Sequence, residues 1–180
     1  MRIRHSVESD RAAISHVHAR AFGPAQGQEI VDLVNELLND ATAEPMLSLV
    51  AETDGKLVGH ILFTAATLQS NRNISARILA PLSVSPDFQC AGIGGELIKE
   101  GLQLLTASAV DLVFVLGHPG YYPRFGFQPA CALGYEAPYP LSPEQQDAWM
   151  VQELQAGVIG TSKGTIQCCE ALDQPRHWQE

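Results

Sequence analysis

The sequence predicts a single α+β domain built on a mixed sheet, antiparallel where it begins and parallel at its centre. Three observations carry that expectation. The apolar runs Met46–Glu52, Lys56–Leu68 and Ile74–Ser85 are joined by short polar turns and read as an antiparallel meander. The last of them is followed by a Gly-rich turn, a helical stretch and a further apolar run, and a strand–helix–strand order implies a parallel pair. The chain has 180 residues, 46% of them hydrophobic, and no repeat, low-complexity segment or linker divides it, so residues 1–180 are expected to share one core.

Each element follows from its pattern. Met1–Ser6 alternates Ile3 with basic residues, as a short edge strand does. Ser9 or Asp10 caps a helix running to about Phe22, with Ala13, Ile14, Val17 and Ala21 at helical spacing. Gly23-Pro24 breaks it, and a second helix runs from about Gln28 to Asn39. His16 and His18 lie two apart, point to different sides of that first helix and read as surface or helix-packing residues rather than a metal pair. Asp54-Gly55 is a strong hairpin signal between the first two long strands, and Gln69–Asn73 is the next tip. Gly92 to about Thr106 is helical, with Ile93, Leu97, Ile98, Gly101, Leu102, Leu104 and Leu105 on the buried side. Asp111–Leu116 is a continuous apolar run, as in a strand covered on both faces. Beyond Phe127 a strand leads into a Pro- and Tyr-rich ordered loop, and Ala148–Leu154 and Gly164–Cys169 are the last strand candidates.

Composition removes several functions. The net charge is −9 with only eleven basic residues, scattered along the chain, which argues against nucleic acid as a partner. No signal peptide opens the sequence and no apolar run approaches a membrane span, so a cytoplasmic protein without a membrane partner is expected. The four cysteines, Cys90, Cys131, Cys168 and Cys169, include no C-x-x-C pair and read as reduced thiols; no metal site is expected.

The chemistry centres on Leu79–Phe127. Gln89-Cys90-Ala91-Gly92-Ile93-Gly94 follows a strand and opens a helix. Free backbone N–H groups at a helix N-terminus bind phosphate oxygens, glycine lets an anion approach the backbone, and Gln89 can donate a side-chain hydrogen bond to the same anion. A dinucleotide fingerprint is excluded by Leu97, which stands where its last glycine belongs, and the Gly-Lys-Ser/Thr ending of a P-loop is missing.

Gln-x-x-Gly-x-Gly after Val84-Ser85-Pro86 resembles the coenzyme A motif of the GNAT superfamily of N-acetyltransferases. Tyr122-Pro-Arg-Phe-Gly126-Phe127 resembles that family's Tyr-x-x-x-Gly-Phe ending. The run Leu116–Phe127 and the segment Met150-Val-x-Glu-Leu look most like its YhbS-related subgroup of predicted bacterial acetyltransferases.

That resemblance implies a GNAT-like fold whose central parallel strands, Ile74–Ser85 and Val110–Leu116, splay apart around an acetyl thioester. It implies acetyl-CoA as cosubstrate, with Leu82, Ser83 and Val84 along the pantetheine arm. Gln89, Cys90, Ala91, Gly92, Ile93 and Gly94 then lie on the pyrophosphate with Gly95 close by. An amine attacks the thioester directly, the Val84 N–H is a candidate for the oxyanion, and Tyr122 is the proton donor to the leaving thiolate, with Tyr121 as the neighbouring alternative. The base stays open. The strand Ile74–Ser85 has no Asp or Glu, and His118 and His60 are the candidates. Many relatives carry an Asn seven residues before the Tyr; Val115 stands there, so Gly117 and His118 are the expected substitutes for that cofactor contact. The N-terminal strands, the helix pair before Met46 and the loop Ala132–Pro143 are expected to shape the acceptor pocket. The acceptor is a small-molecule or peptide amine, and a homodimer is common in the family. The competing reading is a non-catalytic acyl-CoA-binding or sensing module, which needs the Gly-rich turn but not Tyr122.

Overall fold

The computed structural model describes residues 1–179. Its sheet takes the order β1-β2-β3-β4-β5-β8-β6. The strands are β1 (Arg2–His5), β2 (Leu47–Thr53), β3 (Lys56–Leu68), β4 (Asn71–Val84), β5 (Leu112–Leu116), β6 (Gln128–Pro129), β7 (Tyr135–Glu136), β8 (Trp149–Glu153) and β9 (Gly164–Gln167). Two helices, α1 (Arg11–Asn39) and α2 (Ile93–Ala107), cover its two faces. β1 to β4 pair antiparallel, β4 and β5 pair parallel, and β8 returns antiparallel to β5. β9 extends the end of β3 and pairs with β7.

The even-odd alternation of β3 explains its near-continuous apolarity. Ile61 and Phe63 face α2, where Leu97, Ile98, Leu102 and Met150 join them. Leu62 and Ala66 face the other layer, where Leu33 and Leu37 of α1 pack with Ile78, Phe114 and Trp149. α2 lies close on the sheet because Gly101 leaves room for Phe63: a Cβ there would stand 2.4 Å from the ring.

The expected break at Gly23-Pro24 is a single residue. Gly23 alone leaves the helix, at φ 77, and Pro24 restarts it at once, so the expected gap before Gln28 is helical. The bend is tight enough that a Cβ on Gly27 would come within 2.7 Å of the Ala19 carbonyl oxygen. The tip expected at Gln69–Asn73 is also shorter, because β4 already begins at Asn71.

One irregularity positions everything that follows. The β3–β4 register slips between Ile61 and Phe63, which pair with Leu82 and Leu79. The parallel pairing of β4 with β5 ends at Leu79↔Val115. From Ala80 to Val84, β4 is held by β3 alone while β5 diverges, so the sheet opens at its centre.

Candidate active site

A cavity of about 440 Å³ lies at this opening. Its walls are Ile78–Leu82 of β4, Val115–Gly117 at the end of β5, Tyr122, and the α1 residues Phe22, Gln26, Glu29, Ile30 and Leu33. The remaining wall comes from Gln145, Ala148, Leu172 and Arg176–Trp178. The loop Ala132–Pro143, expected to shape this pocket, does not line it. Tyr135 of that loop is buried in the core against Phe114, and Tyr139 donates to Asp173 at 2.8 Å. The C-terminal segment stands in its place because Trp178 anchors it, its Nε1 donating to the Leu172 carbonyl at 2.8 Å and its ring meeting Trp149 edge to face at 5.5 Å. No periodicity in the sequence signals that contact.

The exposed backbone of β4 faces the opening. Ser85 N–H donates to the Val58 carbonyl of β3 at 2.8 Å, so the alternation of an antiparallel ladder turns the N–H groups of Leu82 and Val84 the other way, toward the gap. The Val84 carbonyl is taken by Gln89 Nε2 at 2.9 Å. The Gln89 amide, expected to reach an anion, therefore pins the Gly-rich turn to the end of β4.

After Gln89, Cys90 and Gly92 adopt left-handed backbone, φ 64 and 82, and turn the chain into α2. Cys90 and Ala91 are exposed. The first bond along this helix runs from Glu96 N–H to the Gly92 carbonyl at 3.0 Å, so the N–H groups of Ile93, Gly94 and Gly95 precede the ladder and point outward. No acidic or hydroxyl side chain caps them. Each glycine has its own reason. Gly92 supplies positive φ in open space, whereas a Cβ on Gly94 would meet the Tyr121 hydroxyl at 2.9 Å and one on Gly95 the Phe125 ring at 3.1 Å. The Gly-rich turn and the Tyr-rich turn are thus one packed unit.

The two adjacent tyrosines divide. Tyr121 reaches over Gly94, while Tyr122 is 9% exposed and forms part of the cavity wall. The Tyr122 ring fills the space beside Gly117, meets Phe127 edge to face at 5.7 Å, and meets Tyr121 at 5.2 Å. Burial pushes both phenols above their ordinary pKa, Tyr122 strongly. Among the described residues no group hydrogen-bonds the Tyr122 hydroxyl. Gly117 lines the cavity beside it. His118 is exposed and outside the cavity; its Nδ1 accepts from Gly120 N–H at 2.9 Å, which fixes the turn carrying Tyr122. Leu82 lines the cavity, whereas Ser83 and Val84 do not.

No group of three or more His, Cys, Asp or Glu among the described residues is arranged to hold a metal ion, and no helix among them is long and apolar enough to cross a membrane. The four cysteines are free thiols.

Known proteins agree with this geometry. Residues 45–129 match the acetyltransferase (GNAT) domain family. The chain is 46% identical over 165 residues to the N-acetyltransferase YjhQ of Escherichia coli (strain K12), covering 91% of this chain and 89% of that one. It is 27% identical to the N-acetyltransferase YhbS of the same strain, covering 97% of this chain and 99% of the relative. The crystal structure of Escherichia coli YhbS in complex with CoA superposes with a TM-score of 0.85 at 26% identity, over 96% of this chain and 92% of that one. A Brucella melitensis GNAT-family acetyltransferase in complex with acetyl-CoA superposes with a TM-score of 0.75 at 29% identity, over 96% and 97% of the two chains. The fold is thus shared with these acetyltransferases, and the chain belongs to the GNAT family of N-acetyltransferases.

Proposed function

We propose that this acetyltransferase moves an acetyl group from acetyl-CoA to a primary amine by direct attack. The observation that carries the reading is the opening between β4 and β5, with unpaired helix N–H groups at one end and Tyr122 in its wall. The turn Gln89–Gly95 holds the pyrophosphate on its free N–H groups, aided by the dipole of α2. The backbone of Leu82 to Val84 runs along the pantetheine arm, and Gly117 lines the gap where the thioester lies. The neutral amine attacks the thioester carbonyl carbon, forming the C–N bond. The Leu82 and Val84 N–H groups face the oxygen on which charge develops. The C–S bond then breaks, the thiolate takes the Tyr122 proton, and the proton that the nitrogen sheds as the amide forms passes through solvent to restore the Tyr122 phenol. An ordinary phenol, with a pKa of about 10, already retains its proton above a thiol of about 8.5, and the same burial that raises Tyr122 raises the thiolate's basicity beside it.

The acceptor enters from the α1 side, where Glu29 and Arg176 are the charged residues of the lining. The test is thiol release from acetyl-CoA across a panel of simple amines, aminoacyl compounds, aminoglycosides and peptide N-termini. At least one class is turned over, and Tyr122→Phe lowers that turnover about 10²–10⁴-fold while coenzyme affinity, measured by calorimetry, stays near the parent value. Coenzyme binding without transfer to any acceptor class points instead to the sensing module; an unchanged rate in the Phe variant removes Tyr122 as the donor.

A further inference from the structure

The cavity at the opening of the sheet changes character with depth. Gln26, Glu29, Ile30 and Leu33 recur at helical spacing, so one stripe of α1 lines it. Exposure falls along that stripe: Gln26 and Glu29 are exposed, Ile30 is half-buried and Leu33 is buried. Arg176, also exposed, joins the lining from the C-terminal turn Pro175–His177. Trp178, two residues on, is 3% exposed and hydrogen-bonded to the Leu172 carbonyl, which fixes the seat of that turn. The floor is apolar and closed, with Leu79, Val115 and Tyr122 at 2%, 1% and 9% exposure. The charges thus lie at the rim, and the proposed proton donor lies at the bottom.

Glu29 and Arg176 share this rim without neutralising each other. The ion pairs among the described residues lie elsewhere, on Arg4, Arg11, Arg20 and Lys99. Both charges nevertheless act on one imidazole of the same lining, that of His177. Burial lowers its pKa, Arg176 lowers it further, and Glu36 and Glu29 oppose them. Glu36 does not line the cavity. The cavity therefore presents one carboxylate and one guanidinium, both near His177 and neither committed to a partner on the protein.

Two such groups match a ligand that carries an ammonium and a carboxylate close together. The carboxylate fits the planar fork of Arg176, and the ammonium faces Glu29. An α-amino acid head has both. Its ammonium cannot also be the nucleophile, because an α-amine that attacked at the floor would bring no positive charge to Glu29. The attacking nitrogen is then a second amine, carried on an apolar chain that passes the Ile30, Leu33 and Leu82 side of the lining to reach Tyr122 and Gly117. The volume of about 440 Å³ lies within the ordinary range of small-molecule sites, about 300–1,000 Å³.

We propose that the acceptor is a diamino acid of the lysine or ornithine type, its head held by Glu29 and Arg176 and its side-chain amine acetylated. The inference rests on the transfer reaction proposed above. The C–N bond forms at the side-chain nitrogen, the C–S bond of acetyl-CoA breaks, and the sulfur gains a proton. The sum is R–NH2 plus acetyl-CoA giving the acetamide R–NH–CO–CH3 plus the free thiol of CoA.

Four amines of one chain length separate the two contacts. Lysine has both head charges, cadaverine lacks the carboxylate, 6-aminohexanoate lacks the α-ammonium, and pentylamine lacks both. In the parent protein kcat/KM is highest for lysine and lowest for pentylamine, and mass spectrometry finds the acetyl group on the side-chain nitrogen of lysine. Arg176→Gln raises KM for lysine about tenfold or more, as expected for a lost hydrogen bond to a charged group, and does so by more than it raises KM for cadaverine. Glu29→Gln likewise penalises lysine more than 6-aminohexanoate. Equal kcat/KM for lysine and pentylamine overturns the proposal, as does acetylation of the α-nitrogen. A loss of CoA affinity in Arg176→Gln overturns it too, by assigning the arginine to the coenzyme. If no amine is acetylated, the transfer reading fails separately. Calorimetry of lysine and ornithine against the CoA-bound protein then decides the head site: binding that weakens about tenfold in each variant sustains it, and no binding to the parent protein sinks it.

Discussion

Replacing Gly117 by Ala tests how the site holds Tyr122, the proposed proton donor. A Cβ at this position would lie 2.3 Å from Tyr122 Cε2 and 2.9 Å from Cδ2. Carbon atoms in contact stand about 3.5–4.0 Å apart, so the edge of the ring must retreat by more than about 1 Å. It has little room to do so, because Phe127 and Tyr121 meet the same ring edge to face. Forcing an extra carbon into a packed site costs about 1–3 kcal/mol. A catalytic group displaced by about 1 Å can cost about 10² in rate. Gly117→Ala is therefore expected to lower the urea midpoint modestly and kcat about a hundredfold. CoA affinity, which rests on the turn at Gln89–Gly95, should stay near the parent value. Calorimetry with CoA, thiol release and a denaturation curve measure the three quantities. A parental kcat refutes the claim that Gly117 positions Tyr122. A large loss of CoA affinity shows instead that Gly117 is chiefly a cofactor contact.

Two predictions concern pH. Arg4 binds both oxygens of Asp10, at 2.8 and 3.0 Å, and holds its carboxyl below the ordinary value. That stabilisation is present above the unfolded carboxylate pKa of about 3.9 and is lost as pH falls through the lower folded value. Asp10→Asn should thus cost roughly 1.5–3 kcal/mol at neutral pH, and urea midpoints of the two proteins should converge in strong acid; a gap that persists there refutes the ion-pair account. His18 and His60 are held neutral by burial, so the unfolded chain takes up protons below about pH 6.5 that the folded one refuses. Stability is full above that pH and falls toward pH 4, by up to about 1.4 kcal/mol per pH unit for each ring. His60→Gln should flatten that slope in a series of urea titrations, and an unchanged slope would assign it to other groups.

The sequence by itself determined the strand and helix order, because those elements rest on local patterns. Alternation in β2 to β4, the Asp54-Gly55 hairpin and the apolar run of β5 each appear within a few residues. The Gly-rich helix start was legible for the same reason, since Gln89, Gly92 and Gly94 must be adjacent in the chain to start a helix with bare N–H groups. The resemblance favours Tyr122 over Tyr121 by its spacing from Gly126, but the sequence does not show which of the two enters the cavity wall, because that depends on Gly94 and Gly117 at opposite sides of the turn. The sharp restart at Pro24 was hidden too, as it relies on Gly27 lying against Ala19. Only the tertiary structure decided which segments enclose the cavity at the opening of the sheet. Arg176–Trp178 reach it through the contact of Trp178 with Trp149, while the Tyr- and Pro-rich loop turns into the core. A buried row of side chains from Ser83 to Ser6 was equally invisible. Its hydrogen-bonded members Ser83, His18, His60, Ser48 and Ser6 look like ordinary polar residues of four separate elements and the segment after β1, and only the sheet register and the seating of α1 bring their donors and acceptors into line.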